Sequence, residues 1–182
     1  MLHMRLQKLC VLSCYIIETS MSMSLQTPAT LLVIGAAAID VTSKPEKSSA
    51  APVAAQSTHP GKVTFSSGGV ARNIAEAAHR ILSTASESSS HDVLLVSPIG
   101  NDLAASLIID NARKLGMRTD GLLTFPDQSL SSAVCNMHLD VSGNLTTGVA
   151  DMSIVEAIDS RRVCPRLSCL YPDSVLICSI DN

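Results

Sequence analysis

Aromatic side chains are almost missing: two Phe, two Tyr and no Trp make up 2% of the 182 residues. That scarcity excludes a base-stacking surface of the kind that grips single-stranded nucleic acid, and it leaves the core to aliphatic residues. Charge is scarce too, with 13 basic against 16 acidic side chains and a formal net charge of −3. Such a balance carries neither the basic footprint of a nucleic-acid binder nor a polybasic signal for an anionic membrane. The apolar run Leu9–Ile17 is far short of the ~18–20 residues of a spanning helix, so neither nucleic acid nor a membrane span is expected.

Several chemical signatures are absent as well. No P-loop occurs, since the Gly61-Lys62 pair is followed by Val63 where a Ser or Thr would be required. No G-x-G-x-x-G dinucleotide fingerprint and no G-x-S-x-G elbow is found. The six cysteines (Cys10, Cys14, Cys135, Cys164, Cys169, Cys178) include C-x3-C and C-x4-C spacings, neither followed by histidine at zinc-site distance. A chain of this length does not need staples, so the cysteines read as reduced, small hydrophobes. The histidines (His3, His59, His79, His91, His138) share no helical face, and no metal site is expected.

What is present is a chain of one average domain, 46% hydrophobic and therefore globular rather than disordered. Residues 1–29 read as an amino-terminal extension. Arg5 and Lys8 precede the apolar run and no acid appears before Glu18, which suits a targeting segment or an extended start, with Met21 or Met23 as alternative first residues. A cytoplasmic location is expected, or a mitochondrial one if residues 1–25 are a presequence.

Residues 31–40 (LLVIGAAAID) read as one buried parallel strand, and 62–66 as a short alternating one. The Ser-, Ala- and Pro-rich stretch 43–60 reads as a loop. Helix spacing runs through 69–82, with Val70, Ile74, Ala78 and Ile81 in register, and through 103–115, with Leu103, Leu107, Ile108 and Leu115 on one side. Asn101 or Asp102 suits the N-cap of the second helix and Gly116 its C-cap. Residues 93–99 form a second buried strand and 119–124 another. Stretches 130–140 and 144–151 flank a hairpin loop, 153–158 is a brief helix, and 173–180 is a last buried strand. Alternation of this kind argues for an α/β doubly wound sheet, with the hairpin pieces in a separate small sheet.

Ligands bind such sheets at the carboxyl ends of the strands, where Asp40, Gly68-Gly69 and Gly100-Asn101-Asp102 converge. Asp40 follows four small residues, Gly35 to Ala38. It either accepts hydrogen bonds from vicinal sugar hydroxyls or merely caps a helix or solvates a strand end. Gly68 and Gly69 let a ligand approach a helix N-terminus closely. Asn73, one turn in, either joins that site or faces solvent.

Taken in order, Asp40, the run Ser67-Gly68-Gly69-Val70-Ala71-Arg72-Asn73-Ile74-Ala75 and Pro98-Ile99-Gly100-Asn101-Asp102 resemble the ribokinase-like (PfkB) carbohydrate kinases. Within that family the runs GGVARNIAEAAHRI (68–81) and GNLTTGVADMSIVEAI (143–158) are most similar to the branch that acts on pseudouridine. The resemblance covers about residues 30–182. It implies a ribokinase-like doubly wound, Rossmann-like sheet with a small β lid drawn from segments near 41–66 and 119–151, truncated after about half of the sheet. It further implies ATP-dependent phosphorylation of a sugar or nucleoside hydroxyl, with Asp40, Gly68, Gly69, Asn73 and Asp102 on the substrate side, although Asp102 also suits a helix cap.

ATP and Mg2+ are implied for the complete enzyme, held mostly outside this chain. The family's catalytic aspartate lies in a Gly-Ala-Gly-Asp run that these 182 residues do not contain, so no catalytic residue is assigned. A catalytically inactive sugar- or nucleoside-binding protein, or a gene fragment, is the alternative reading. A generic nucleotide-binding domain is a third. The resemblance also allows fusion to a pseudouridine-phosphate glycosidase domain in a longer protein.

Overall fold

The computed structural model describes residues 29–46, 58–85, 93–125, 129–158 and 175–178. The expectations for residues 1–28, for most of the 43–60 loop, and for 161–172 lie outside these residues. The order is β1 (Leu31–Ile34), β2 (Ala38–Pro45), β3 (Gly61–Gly68), α1 (Val70–Ala85), β4 (Val93–Ile99), α2 (Leu103–Lys114), β5 (Leu122–Thr124), β6 (Ala133–Leu139), β7 (Leu145–Asp151), a 3-10 turn (Ser153–Ala157) and β8 (Val175–Cys178).

Two four-stranded sheets result. One has the order β5-β4-β1-β8 and is parallel throughout. Its strands β1 and β4 are continuous apolar runs because both faces are covered, and all seven residues of β4 are buried. One face packs Val33, Val93 and Leu95 against Ala71 and Ala75 of α1 and Ala105, Ile108 and Ala112 of α2. The opposite face gathers Leu32, Ile34, Leu94, Val96, Leu123 and Phe125. The second sheet has the order β3-β2-β6-β7, with β2 and β6 parallel and both outer pairs antiparallel. The hairpin pieces thus form a sheet of their own.

Residues 31–40 are not one strand. The chain leaves the first sheet at Gly35 and enters the second at Ala38, and three hydrogen bonds hold the break. The Gly35 amide donates to the Val96 carbonyl (3.1 Å) and the Ala37 amide to Ser97 Oγ (2.8 Å), while the Ala36 carbonyl accepts from the Arg72 amide (3.2 Å). At its other end β2 continues to Pro45, past the expected start of the loop, because it stays paired with β3 as far as Gly61. The strand expected over 119–124 is confined to Leu122–Thr124, because Arg118 Nε bonds Asp120 Oδ1 (2.9 Å) and the Leu122 amide closes a turn on the Thr119 carbonyl (3.1 Å).

Ile74, Ala78, Ile108 and Leu115 pack in or against the helix-side core as their spacing suggests, but the rest of each expected stripe does not. Val70 and Ile81 are exposed, as are Leu103 and Leu107, while Ala71, Ala75, Ala105, Ile108 and Ala112 face the core. Alanines bring the helix backbones close to the sheet, and two side-chain bonds fix the resulting rotation. Arg72 Nη2 donates to Asn111 Oδ1 (2.7 Å) and His79 Nε2 donates to the Leu115 carbonyl (3.0 Å), each joining α1 to α2. Among the described residues, no helix is long and apolar enough to cross a membrane.

Candidate functional site

The β1–β2 break decides where Asp40 stands. Strand alternation places Ala38 and Asp40 on one face of the second sheet and Ile39 and Val41 on the other. Ile39 and Val41 join the helix-side core. Ala38 packs with Ala133 and with Ile154 from the 3-10 turn. Asp40 is one step further out, half-buried, paired in register with Ser66 of β3 and with Cys135 of β6. Its carboxylate accepts no hydrogen bond from the described residues.

Gly68 ends β3 directly beside that carboxylate. A Cβ on Gly68 would lie inside contact distance of all three carboxyl atoms of Asp40, so a side chain there would displace the carboxylate from its place. Gly69 has φ +93°, a backbone that L side chains rarely adopt, and a Cβ there would strike the Ala36 carbonyl. This geometry turns the chain from β3 into α1 and lets the Arg72 amide reach Ala36. Asn73, exposed in the first turn of α1, accepts from Arg72 Nη1 at 3.2 Å through Oδ1, while its Nδ2 makes no bond to the described residues. Asp40, Gly68 and Gly69 are therefore brought together around the β3–α1 corner, with Asn73 one turn along the helix.

Asp102 has different surroundings. It is the N-cap of α2, with Oδ1 accepting from the Ala105 amide (2.8 Å). Oδ1 also accepts from Ser132 Oγ (2.8 Å) and Oδ2 from the Ser132 amide (2.7 Å). Ser132 Oγ in turn accepts from the Gly100 amide (2.9 Å). Burial pushes the Asp102 carboxyl up, but the Ala105 and Ser132 amides and the Ser132 hydroxyl outweigh it and hold it below the ordinary carboxylate range. Both oxygens are thus engaged by protein donors.

Three contributors carry no sequence signal of their own. Ser97 and Ser132 are fully buried and lie in stretches whose spacing marks nothing. Cys135 is a half-buried free thiol beside Asp40, and it is legible only once β2 and β6 are known to pair. Arg72, by contrast, has the i,i+4 spacing that signals its ion pair with Glu76 (2.6 Å). With its bond to Asn111, that pair makes Arg72 a brace between helices. At the far end of the second sheet the Asn144 side chain holds the Asp140 carboxyl below its usual range, and at the opposite end of β7 the Ser153 hydroxyl does the same for Asp151.

A parallel sheet with helices on one face, and a glycine-glycine helix start beside an aspartate of a second sheet, define an α/β small-molecule-binding class. The family is shown directly. Residues 28–148 match the model of the pfkB family of carbohydrate kinases, and the chain belongs to that family. It is 29% identical over 131 residues to a pseudouridine kinase of Escherichia coli, covering 72% of this chain and 37% of that one. It is 31% identical over 125 residues to a pseudouridine kinase of Arabidopsis thaliana, covering 69% and 29%. The chain therefore spans well under half the length of these relatives.

Among solved structures, a carbohydrate kinase from Agrobacterium tumefaciens matches with a TM-score of 0.63 at 25% identity, covering 82% of this chain and 45% of that one. A sugar kinase from Clostridium perfringens matches with a TM-score of 0.59 at 29% identity, covering 78% and 40%. The fold is ribokinase-like.

Proposed function

We propose that this chain supplies the substrate-binding portion of an ATP-dependent kinase that phosphorylates a hydroxyl of a sugar or nucleoside, with pseudouridine the favoured substrate. The observation that carries this reading is the Asp40–Gly68 pair. A half-buried carboxylate with no hydrogen bond to the described residues stands against Gly68, where a Cβ would have to push its carboxyl atoms aside. A carboxylate accepts from two neighbouring hydroxyls at once, which is the pattern a ribose-like ring presents. The amides at the start of α1 and the Asn73 side chain supply donors for the same ring. Similarity to two pseudouridine kinases favours that nucleoside. In this reading the second sheet is a lid that excludes water from the bound hydroxyl, and Asp102 holds the lid to the body through Ser132.

The described residues do not fit a nucleoside triphosphate or its metal. They include no cluster of three His, Cys, Asp or Glu side chains, and the N-terminus of α2 is filled by its own Asp102. ATP and Mg2+ are what membership of the family implies for the complete kinase, and the chemistry assigned to the described residues is binding and orientation alone.

Titration calorimetry of the chain with pseudouridine tests the reading. Asp40→Ala removes two charge-assisted hydrogen bonds, each worth about 1.5–3 kcal/mol, so affinity is expected to fall at least about a hundredfold. Equal affinity in Asp40→Ala and the parent chain overturns the assignment.

A further inference from the structure

The Asp40 face of the second sheet is divided by polarity along its length. On β3 and β2 it presents Ser66, Asp40 and Thr42; on β6 and β7 it presents Cys135, Met137 and Ala150. The register makes these neighbours, with Asp40 between Ser66 and Cys135, and Cys135 opposite Ala150. One half therefore carries a carboxylate and hydroxyls, and the other a thiol, a thioether and a methyl. Beyond Cys135 the partner of Met137 is Gly148, which carries no side chain, while towards the body the face passes into the apolar contact of Ala38, Ala133 and Ile154. Strands lie about 4.8 Å apart, so the row from Ser66 to Ala150 spans about 14 Å and accommodates two rings side by side.

Hydroxyls moved onto the β6–β7 half would lose their hydrogen bonds to water without replacement, whereas the face of a flat heterocycle loses little there. We infer that the ligand lies across the strands, with its hydroxyl-bearing ring over Ser66 and Asp40 and a planar base over Cys135 and Ala150. The β6–β7 half then selects nucleosides over free pentoses. This rests on the reading of Asp40 as the sugar-binding carboxylate and adds residues that reading does not use.

Calorimetric titration with pseudouridine and with ribose tests it. Ala150 is exposed on an edge strand, so Ala150→Leu is tolerated by the fold, which far-ultraviolet circular dichroism checks. Ala150→Leu is expected to weaken pseudouridine at least tenfold and ribose less than threefold, and Ser66→Ala to weaken both. In the parent chain, alkylation of Cys135 by iodoacetamide, followed by peptide mass mapping, is expected to slow at least fivefold with pseudouridine and less than twofold with ribose. Equal losses of both ligands in Ala150→Leu, or no loss of either, overturn the orientation while leaving Asp40 in place. Equal protection of Cys135 by both ligands does the same. Failure of the parent chain to bind either ligand overturns the site itself.

Discussion

Asp40 and Asp102 are both half-buried aspartates next to glycine-containing turns, yet their carboxylates have opposite fates. Asp102 is saturated: two backbone amides and a hydroxyl point at it, and through Ser132 it ties α2 and β4 to the start of β6. Asp40 is met only by the missing side chain of Gly68. A carboxylate whose bonds are all supplied by protein stabilises the fold, whereas one left open beside a glycine has its bonds to give to a ligand. Residue type and approximate position are alike in the two cases, and the difference lies wholly in which donors the fold delivers.

The largest effect expected from breaking this contrast is on stability at Asp102. Asp102→Ala removes a helix cap worth about 0.5–2 kcal/mol and strands the Ser132 amide, at about 1–3 kcal/mol. A loss near 3 kcal/mol in urea unfolding is expected, against less than about 0.5 kcal/mol for Asp40→Ala. Comparable losses at the two positions would erase the distinction. Next in size is Gly69→Ala, where a left-handed backbone and the Ala36 carbonyl oppose a Cβ. Strain of that kind costs about 1–3 kcal/mol, read as a lower urea midpoint.

Gly68→Ala sharpens the comparison from the other side. Its backbone is not strained, so the new methyl displaces the Asp40 carboxylate instead. Pseudouridine affinity is expected to drop about tenfold, the weight of one net hydrogen bond at the upper end of its range, while the urea midpoint moves little.

Acid provides a further separation. The Asp102 carboxyl sits below its ordinary range in the folded protein. Its stabilisation is therefore complete above the unfolded value near 3.9 and is lost as pH falls through the lower folded value. Acid unfolding of the parent chain should be steeper below about pH 4 than that of Asp102→Ala; parallel curves would show that the Ser132 knot is not formed. The smallest effect belongs to the exposed face of the second sheet that carries Phe65. Phe65 is 65% exposed, so Phe65→Thr should alter stability by less than about 0.5 kcal/mol, and a larger change would mean that this face is covered in solution.

Much of the scaffold was legible because it depends on local pattern. Continuous apolar runs marked β1 and β4, the Gly-Gly pair marked the entry to α1, and an Asp before Leu103 marked the cap of α2. The buried stripes of the helices were legible in part: Ile74, Ala78, Ile108 and Leu115 pack in or against the core, whereas Val70, Ile81, Leu103 and Leu107 are exposed and alanines face the sheet instead, since leucines and isoleucines outweigh alanines in any hydrophobic pattern. The break at Gly35–Ala37 was hidden for a related reason. It is held by Val96, Ser97 and Arg72, all distant in sequence, so nothing in LLVIGAAAID distinguishes one strand from two.

The sequence by itself determined the alternation of strands and helices, the aliphatic core and the cluster of Asp40, Gly68, Gly69 and Asn73 near one corner, because periodicity, glycine and capping act within a few residues. Only the tertiary structure decided that Asp102 is bound by Ser132, that Cys135 stands beside Asp40, and that one face of the second sheet is polar on two strands and apolar on the other two. Those are matters of strand register between segments far apart in the chain, and register is fixed by packing of the whole rather than by any local run of residues.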